Sequence, residues 1–213
     1  MLNDTQLNEI KAEFETLVRS INVEGDIEGL INFLENSDFF TAPASVQGSC
    51  SFKGGLVLHS LDVYYALQEI NKTFCERQKY DEDTIKLVAL FHDLYKVNFY
   101  ESYVSAKKVY SPAGINTDKS GNHFDWIDFE GYKVKDLEER EVYGTNSFNS
   151  YAILSQFISL SKTVTTAIVN ATTSFEQNPN LGNIMSKCPL TAALQCADML
   201  CVYGVENKYE KTY

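Results

Sequence analysis

Apolar residues three and four positions apart recur in segment after segment, and that spacing constrains the fold more than any other feature of the chain. Residues 5–21 carry it at Leu7, Ile10, Phe14, Leu17 and Ile21, and a second helix is predicted from Asp26, which is placed to cap it. The stretch "FFTAPASVQGSCSFKGG" then breaks the pattern with a proline, three glycines and small polar residues, the signature of a loop. Helical spacing resumes at Leu56, Val63, Leu67 and Ile70. It continues through 81–100, which opens on acidic residues suited to a helix N-terminus. Residues 147–160 and 161–175 read as two further helices, the latter weakened by β-branched residues. "EQNPNLGNIMSKC" reads as a loop, and a last helix follows with Pro189 near its first turn and Gly204 as its stop.

One segment departs from this. Residues 101–142 are rich in aromatic and β-branched residues, alternate in "FDWIDFEGYKV", and contain the turn-forming run "SPAGINTDKSGN". The expectation is therefore an all-α bundle with a small β-hairpin insertion around 101–142. At 213 residues and 44% hydrophobic, with no repeat and no linker, a single domain is expected. Its N-terminal helices occupy 1–37 and its core about 38–204.

The formal net charge of −11 opposes a long phosphate backbone, and Lys107-Lys108 is the one dense basic pair. Long nucleic acid is not expected as a partner. With no apolar run of membrane length and an acidic, amphipathic N-terminus, neither a membrane nor a signal peptide is expected, and the reading is cytoplasmic. The five cysteines (Cys50, Cys75, Cys188, Cys196 and Cys201) form no C-x-x-C pair and are expected to be reduced and mostly buried.

Several polar residues fall on the apolar stripes. His59 lies in line with Leu56, Val63, Ala66 and Ile70; His92 follows Ile85, Val88 and Ala89; Asp198 shares a face with Leu190, Leu194 and Cys201. Singly, each is most economically a satisfied core residue, because a buried carboxylate needs only one partner. Together, with Asp93 directly after His92, they put metal-ligand types on three inward helix faces. The set suits Mn²⁺, Fe²⁺, Co²⁺, Ni²⁺ or Zn²⁺, with Mg²⁺ also admitted. Lys96, one turn beyond His92, is either a phosphate-neutralising cation or a lysine closing a helix.

With "GGLVLHSLDV", "LFHDLYK" and "LQCADMLCVY" in this order, the sequence resembles the HD-domain superfamily of metal-dependent phosphohydrolases. It is most similar to a branch of small HD proteins frequent in bacteria and their phages, over about residues 38–204. The resemblance implies a helical bundle in which His59, His92, Asp93 and Asp198 hold a divalent metal, with Asp93 and Lys96 serving catalysis. Two further histidines usual in that branch are replaced here by Tyr143 and Asn170, which implies a one-metal site and makes those two positions candidates for substrate contact. Asp62, one turn from His59, is a candidate to orient it. Tyr95, Tyr100, Tyr103 and Trp126 are candidates to stack on a base or to pack the insertion, and His123 reads as a solvated loop residue.

The function these features imply is hydrolysis of a nucleotide or other small phosphate ester through a metal-activated water. The alternatives are a non-catalytic nucleotide- or signal-binding protein on the same scaffold, and an interaction protein in which the ligand set is a relic.

Overall fold

The computed structural model describes residues 2–73, 79–140 and 142–205. Among these the chain forms eight α-helices: α1 (Asp4–Arg19), α2 (Ile27–Asn36), α3 (Gly55–Thr73), α4 (Glu82–Phe91), α5 (Asn146–Leu154), α6 (Lys162–Val169), α7 (Leu181–Lys187) and α8 (Pro189–Leu200). Between α4 and α5 lies a three-stranded antiparallel sheet, β1 (Tyr100–Tyr110), β2 (Asn116–Thr117) and β3 (His123–Val134), in the order β1-β3-β2. The molecule is therefore helix-rich but mixed rather than purely all-α. The hairpin expected at 101–142 is β1 paired with β3, from Tyr100↔Val134 to Tyr110↔Phe124, and β2 adds a short third strand to it. No single helix among the described residues is long and apolar enough to cross a membrane.

Local chemistry sets the helix boundaries. Asp26 caps α2 through a bond from the Gly29 amide at 2.8 Å, and Pro189 opens α8, both as predicted. Helices α5 and α6 are shorter than their periodicity suggests, ending at Leu154 and Val169. Helix α7 lies inside the segment expected to be loop. Its seven residues are too few for a clear periodic signal. The turn beyond α8 is a π-helical one, Cys201–Val205, so Gly204 lies within helical structure instead of stopping it.

The core gathers around Phe14, whose ring meets Phe39 at 4.9 Å and Phe91 edge-on at 5.9 Å. Helix α3 runs through the centre, packed on α4 and on α8. Its first two turns, Gly55 to Leu61, are buried on every side, so the single stripe read from sequence understates the enclosure of His59. The glycine pair at its start is required. Gly54 has φ +82°, and a Cβ on Gly55 would stand 1.9 Å from the Cys50 carbonyl oxygen. This close approach docks the preceding loop against the helix that carries His59.

Cys50, Cys188 and Cys201 are buried and Cys196 is exposed; Cys75 lies outside the described residues. The Lys107-Lys108 pair is spent on the sheet's own rings, Lys108 lying 4.4 Å from the Phe124 centroid and Lys107 5.7 Å from that of Phe129.

Candidate metal centre

Helix α4 ends at Phe91, so His92 is its C-terminal cap and Asp93 opens a separate 3-10 turn, Leu94–Lys96. The sequence reading carried one helix through to Lys96; the tighter turn corrects it, and its consequence is geometric. Side chains three apart eclipse in a 3-10 turn, which brings the Lys96 Nζ to 2.5 Å from Asp93 Oδ2. Lys96 is thus no lysine closing a helix at the surface: its side chain is only 13% exposed.

Helices α3 and α8 close the site from the other side. His59 Nε2 lies 3.3 Å from His92 Nε2, 3.4 Å from Asp93 Oδ2 and 3.3 Å from Asp198 Oδ1. His92 Nε2 is 3.5 Å from Asp93 Oδ2. His59, His92 and Asp93 are all buried and form a compact group whose ligand atoms lie within 4.8 Å of one another. Asp198, with a side chain 28% exposed, reaches the group through His59 at its more open edge.

The donor set fits a divalent cation. The Nδ1 of His92 is 2.7 Å from the Ala89 carbonyl, which only accepts, so Nδ1 carries a proton and, in the neutral ring that a metal requires, Nε2 is the atom with the lone pair. Of the facing atoms His59 Nε2, His92 Nε2, Asp93 Oδ2 and Asp198 Oδ1, only His59 Nε2 can then carry a proton while both rings are neutral. Two imidazole nitrogens and a carboxylate suit Mn²⁺, Fe²⁺, Co²⁺, Ni²⁺ or Zn²⁺.

Electrostatics keeps the set ready to bind. Burial pushes the Asp93 carboxyl up, but the Lys96 ammonium and the two imidazoles outweigh it and hold Asp93 well below the ordinary carboxylate range. Burial likewise works against the Lys96 charge, and Asp93 overrides it, leaving that ammonium above the ordinary lysine value. Burial and the Asp93 charge raise the Tyr95 phenol, which stays neutral.

A cleft of about 210 Å³ opens on the group, lined by His59, Asp93, Tyr95, Lys96, Thr172 and Asp198 together with the 44–49 loop. Of the other residues singled out in the sequence, Asp62 is half-buried on α3 and does not line this cleft. Tyr143 is exposed, its backbone N–H donating to Asn149 Oδ1 at 2.8 Å, and it too lies off the cleft. Asn170 is buried at the end of α6 and lines a neighbouring cavity instead. His123 bonds the Gly114 carbonyl at 2.9 Å within the sheet. Tyr100 donates to the Ala44 carbonyl at 3.3 Å, whereas Tyr103 and Trp126 pack on Phe129 and Phe124 in the sheet.

Two residues that position the site escaped sequence reasoning. Ser150 on α5, fully buried, donates to the His92 carbonyl at 2.8 Å and accepts from the Tyr95 amide at 3.0 Å, spanning the His-Asp turn. Asp38 accepts from the Asn98 amide at 2.6 Å and holds that residue at φ +53°, where the chain leaves the turn. The only sequence signal was the unusual run of Ser147, Asn149 and Ser150 on a buried helix face.

Burial raises the Asp38 carboxyl despite the Asn98 hydrogen bond. A folded-state value above the unfolded one means that ionised Asp38 costs stability at neutral pH and that this cost is relieved as pH falls through the raised value. Asp38→Asn, which keeps the acceptor without the charge, is expected to be at least as stable as wild type at pH 7, with the difference shrinking on acidification. Asp38→Ala should lose about 1 kcal/mol through the orphaned amide. Urea unfolding of both variants between pH 4 and 8 checks this.

Fold and site together define a class: a helix-rich protein with a small antiparallel sheet and a buried His-His-Asp group able to hold a metal ion. Compared with known proteins, the chain matches no family model, no curated protein and no solved structure.

Proposed function

We propose that the protein is an HD-type, metal-dependent phosphohydrolase acting on a nucleotide or other small phosphate ester. The observation that carries this reading is the convergence of His59, His92, Asp93 and Asp198, with His59, Asp93, Asp198 and Lys96 lining a single small cleft and His92 buried against His59 and Asp93. A divalent ion held by these residues supplies Lewis acidity toward a phosphoryl oxygen and lowers the pKa of water.

The chain's own residues do the rest. Asp93 holds Lys96 charged and in place, and the ammonium, facing the cleft, offsets charge that builds on a non-bridging phosphate oxygen. His92 is fixed in one tautomer by Ala89 and tied through its carbonyl to Ser150, so it needs no reorganisation when it binds. The cleft, at about 210 Å³, has room for a phosphate group and lies below the roughly 300–1,000 Å³ usual for a whole small-molecule site.

The second reading is a nucleotide- or signal-binding protein on the same scaffold. It draws support from positions 143 and 170, neither of which brings a further ligand to the cleft.

Phosphate release from nucleoside mono-, di- and triphosphates and from sugar phosphates, with Mn²⁺, Co²⁺, Mg²⁺ or EDTA, separates the two. Metal-dependent release is the expected result. Tight binding of metal and of one of these compounds without any turnover establishes the second reading instead.

A further inference from the structure

Beside the charged cleft lies a second cavity of about 570 Å³ with the opposite chemistry. Its lining includes four side-chain amides (Asn146, Asn170, Gln177 and Asn178) and threonine hydroxyls. No charged and no aromatic residue is among the described residues that form it. Thr172 lines both cavities, and its hydroxyl is tied to Ser147 Oγ at 2.5 Å, which fixes the shared wall.

The polar groups here are unspent. Asn170 is 8% exposed; its amide nitrogen donates to the Thr166 carbonyl at 2.8 Å, and its Oδ1 accepts from no described residue. The Asn146 side chain makes no hydrogen bond to any described residue. Gln177 and Asn178 use their side-chain oxygens on the Ser174 and Asn180 amides at 2.9 and 3.0 Å and leave their NH₂ groups for another partner.

Resting on the phosphohydrolase reading, we infer that this cavity is the subsite for the alcohol part of the ester, and that this part is an uncharged polyhydroxyl group, a sugar. Amides that both donate and accept match hydroxyls, which do the same, and here one of them, Asn170, is buried while Asn146, Gln177 and Asn178 stand toward the cavity's open side. With no ring to stack on and no cation, the cavity has nothing to select a base or a further phosphate. Its volume lies in the range of small-molecule sites.

The test uses ribose 5-phosphate, uridine 5′-monophosphate and methyl phosphate with the Zn²⁺-loaded protein. Calorimetry gives the dissociation constants, and NMR follows the side-chain amide signals of Asn146 and Asn178. Ribose 5-phosphate is expected to bind at least about tenfold more tightly than methyl phosphate, as one or two good hydrogen bonds would give. It should move those signals where methyl phosphate does not. Asn170→Leu should erase the advantage; Asn146→Ala, a change at an exposed helix start, should reduce it without risk to folding. Uridine monophosphate binding as ribose 5-phosphate does would point to a nucleotide as the source of the sugar.

Equal affinities for ribose 5-phosphate and methyl phosphate, or an advantage that both variants leave intact, would overturn the inference. A Zn²⁺ titration of the same samples tests the metal reading separately. If no Zn²⁺ binds, that reading fails, while the amide signals recorded with EDTA still decide the subsite.

Discussion

Asp93→Ala is expected to lose metal binding and stability together, for two separable reasons. The carboxylate is one of three buried ligand groups, so its removal should weaken metal affinity by at least the ~100-fold reached when mere supporting residues are lost. The same change leaves the Lys96 ammonium buried with no counter-charge at 2.5 Å, at a cost of about 3–5 kcal/mol. Adding Lys96→Met removes the stranded charge. The double variant should therefore recover most of the lost stability while still binding no metal. Urea unfolding in EDTA reads the stability and competition against a chromogenic chelator reads the metal affinity. A single variant that unfolds like wild type, or that keeps its metal, would show that Asp93 does not hold the two roles assigned to it.

Ser150→Ala has the second largest expected effect, although the residue touches no ligand atom. Its hydroxyl satisfies two backbone groups of the His-Asp turn, the His92 carbonyl and the Tyr95 amide, in a position with no exposure to water. Deleting it orphans both, and buried unpaired groups of this kind cost about 2–3 kcal/mol together. Because these bonds fix the turn that presents His92 and Asp93, metal affinity should also fall, by about tenfold. The two readouts separate positioning from bulk stability: loss of stability with unchanged metal affinity would mean that the turn keeps its geometry without Ser150.

Much of this site is legible in the chain itself. Spacing alone turned His59, His92 and Asp198 toward apolar faces, and all three lie on the inside of the molecule or at the cleft's edge. The Asp26 cap, the Pro189 start and the strand pair flanking "SPAGINTDKSGN" were equally plain, because each depends on residues within a few positions of one another. What escaped was long-range or too short to show a period. The 3-10 turn at Leu94–Lys96 continues the apolar pattern of α4, so nothing local marks where the helix stops. Asp38 and Asn98 are sixty residues apart, and Ser150 is fifty-eight from His92; no periodicity reports such a bond.

Periodicity in the chain was enough to place seven of the eight described helices, though not all their ends, to show where the sheet interrupts them, and to turn several metal-ligand types inward, since helical and strand periods follow from backbone geometry acting on neighbours. Tertiary structure alone decided that His59, His92 and Asp93 meet within one small volume, that Ser150 reaches across to the turn that carries His92 and Asp93, and that Asn170 lines a separate, uncharged cavity. Those outcomes rest on how α3, α4, α5 and α8 pack. Packing is set by the fit of whole faces and by hydrogen bonds between remote residues, neither of which leaves a local mark in the chain.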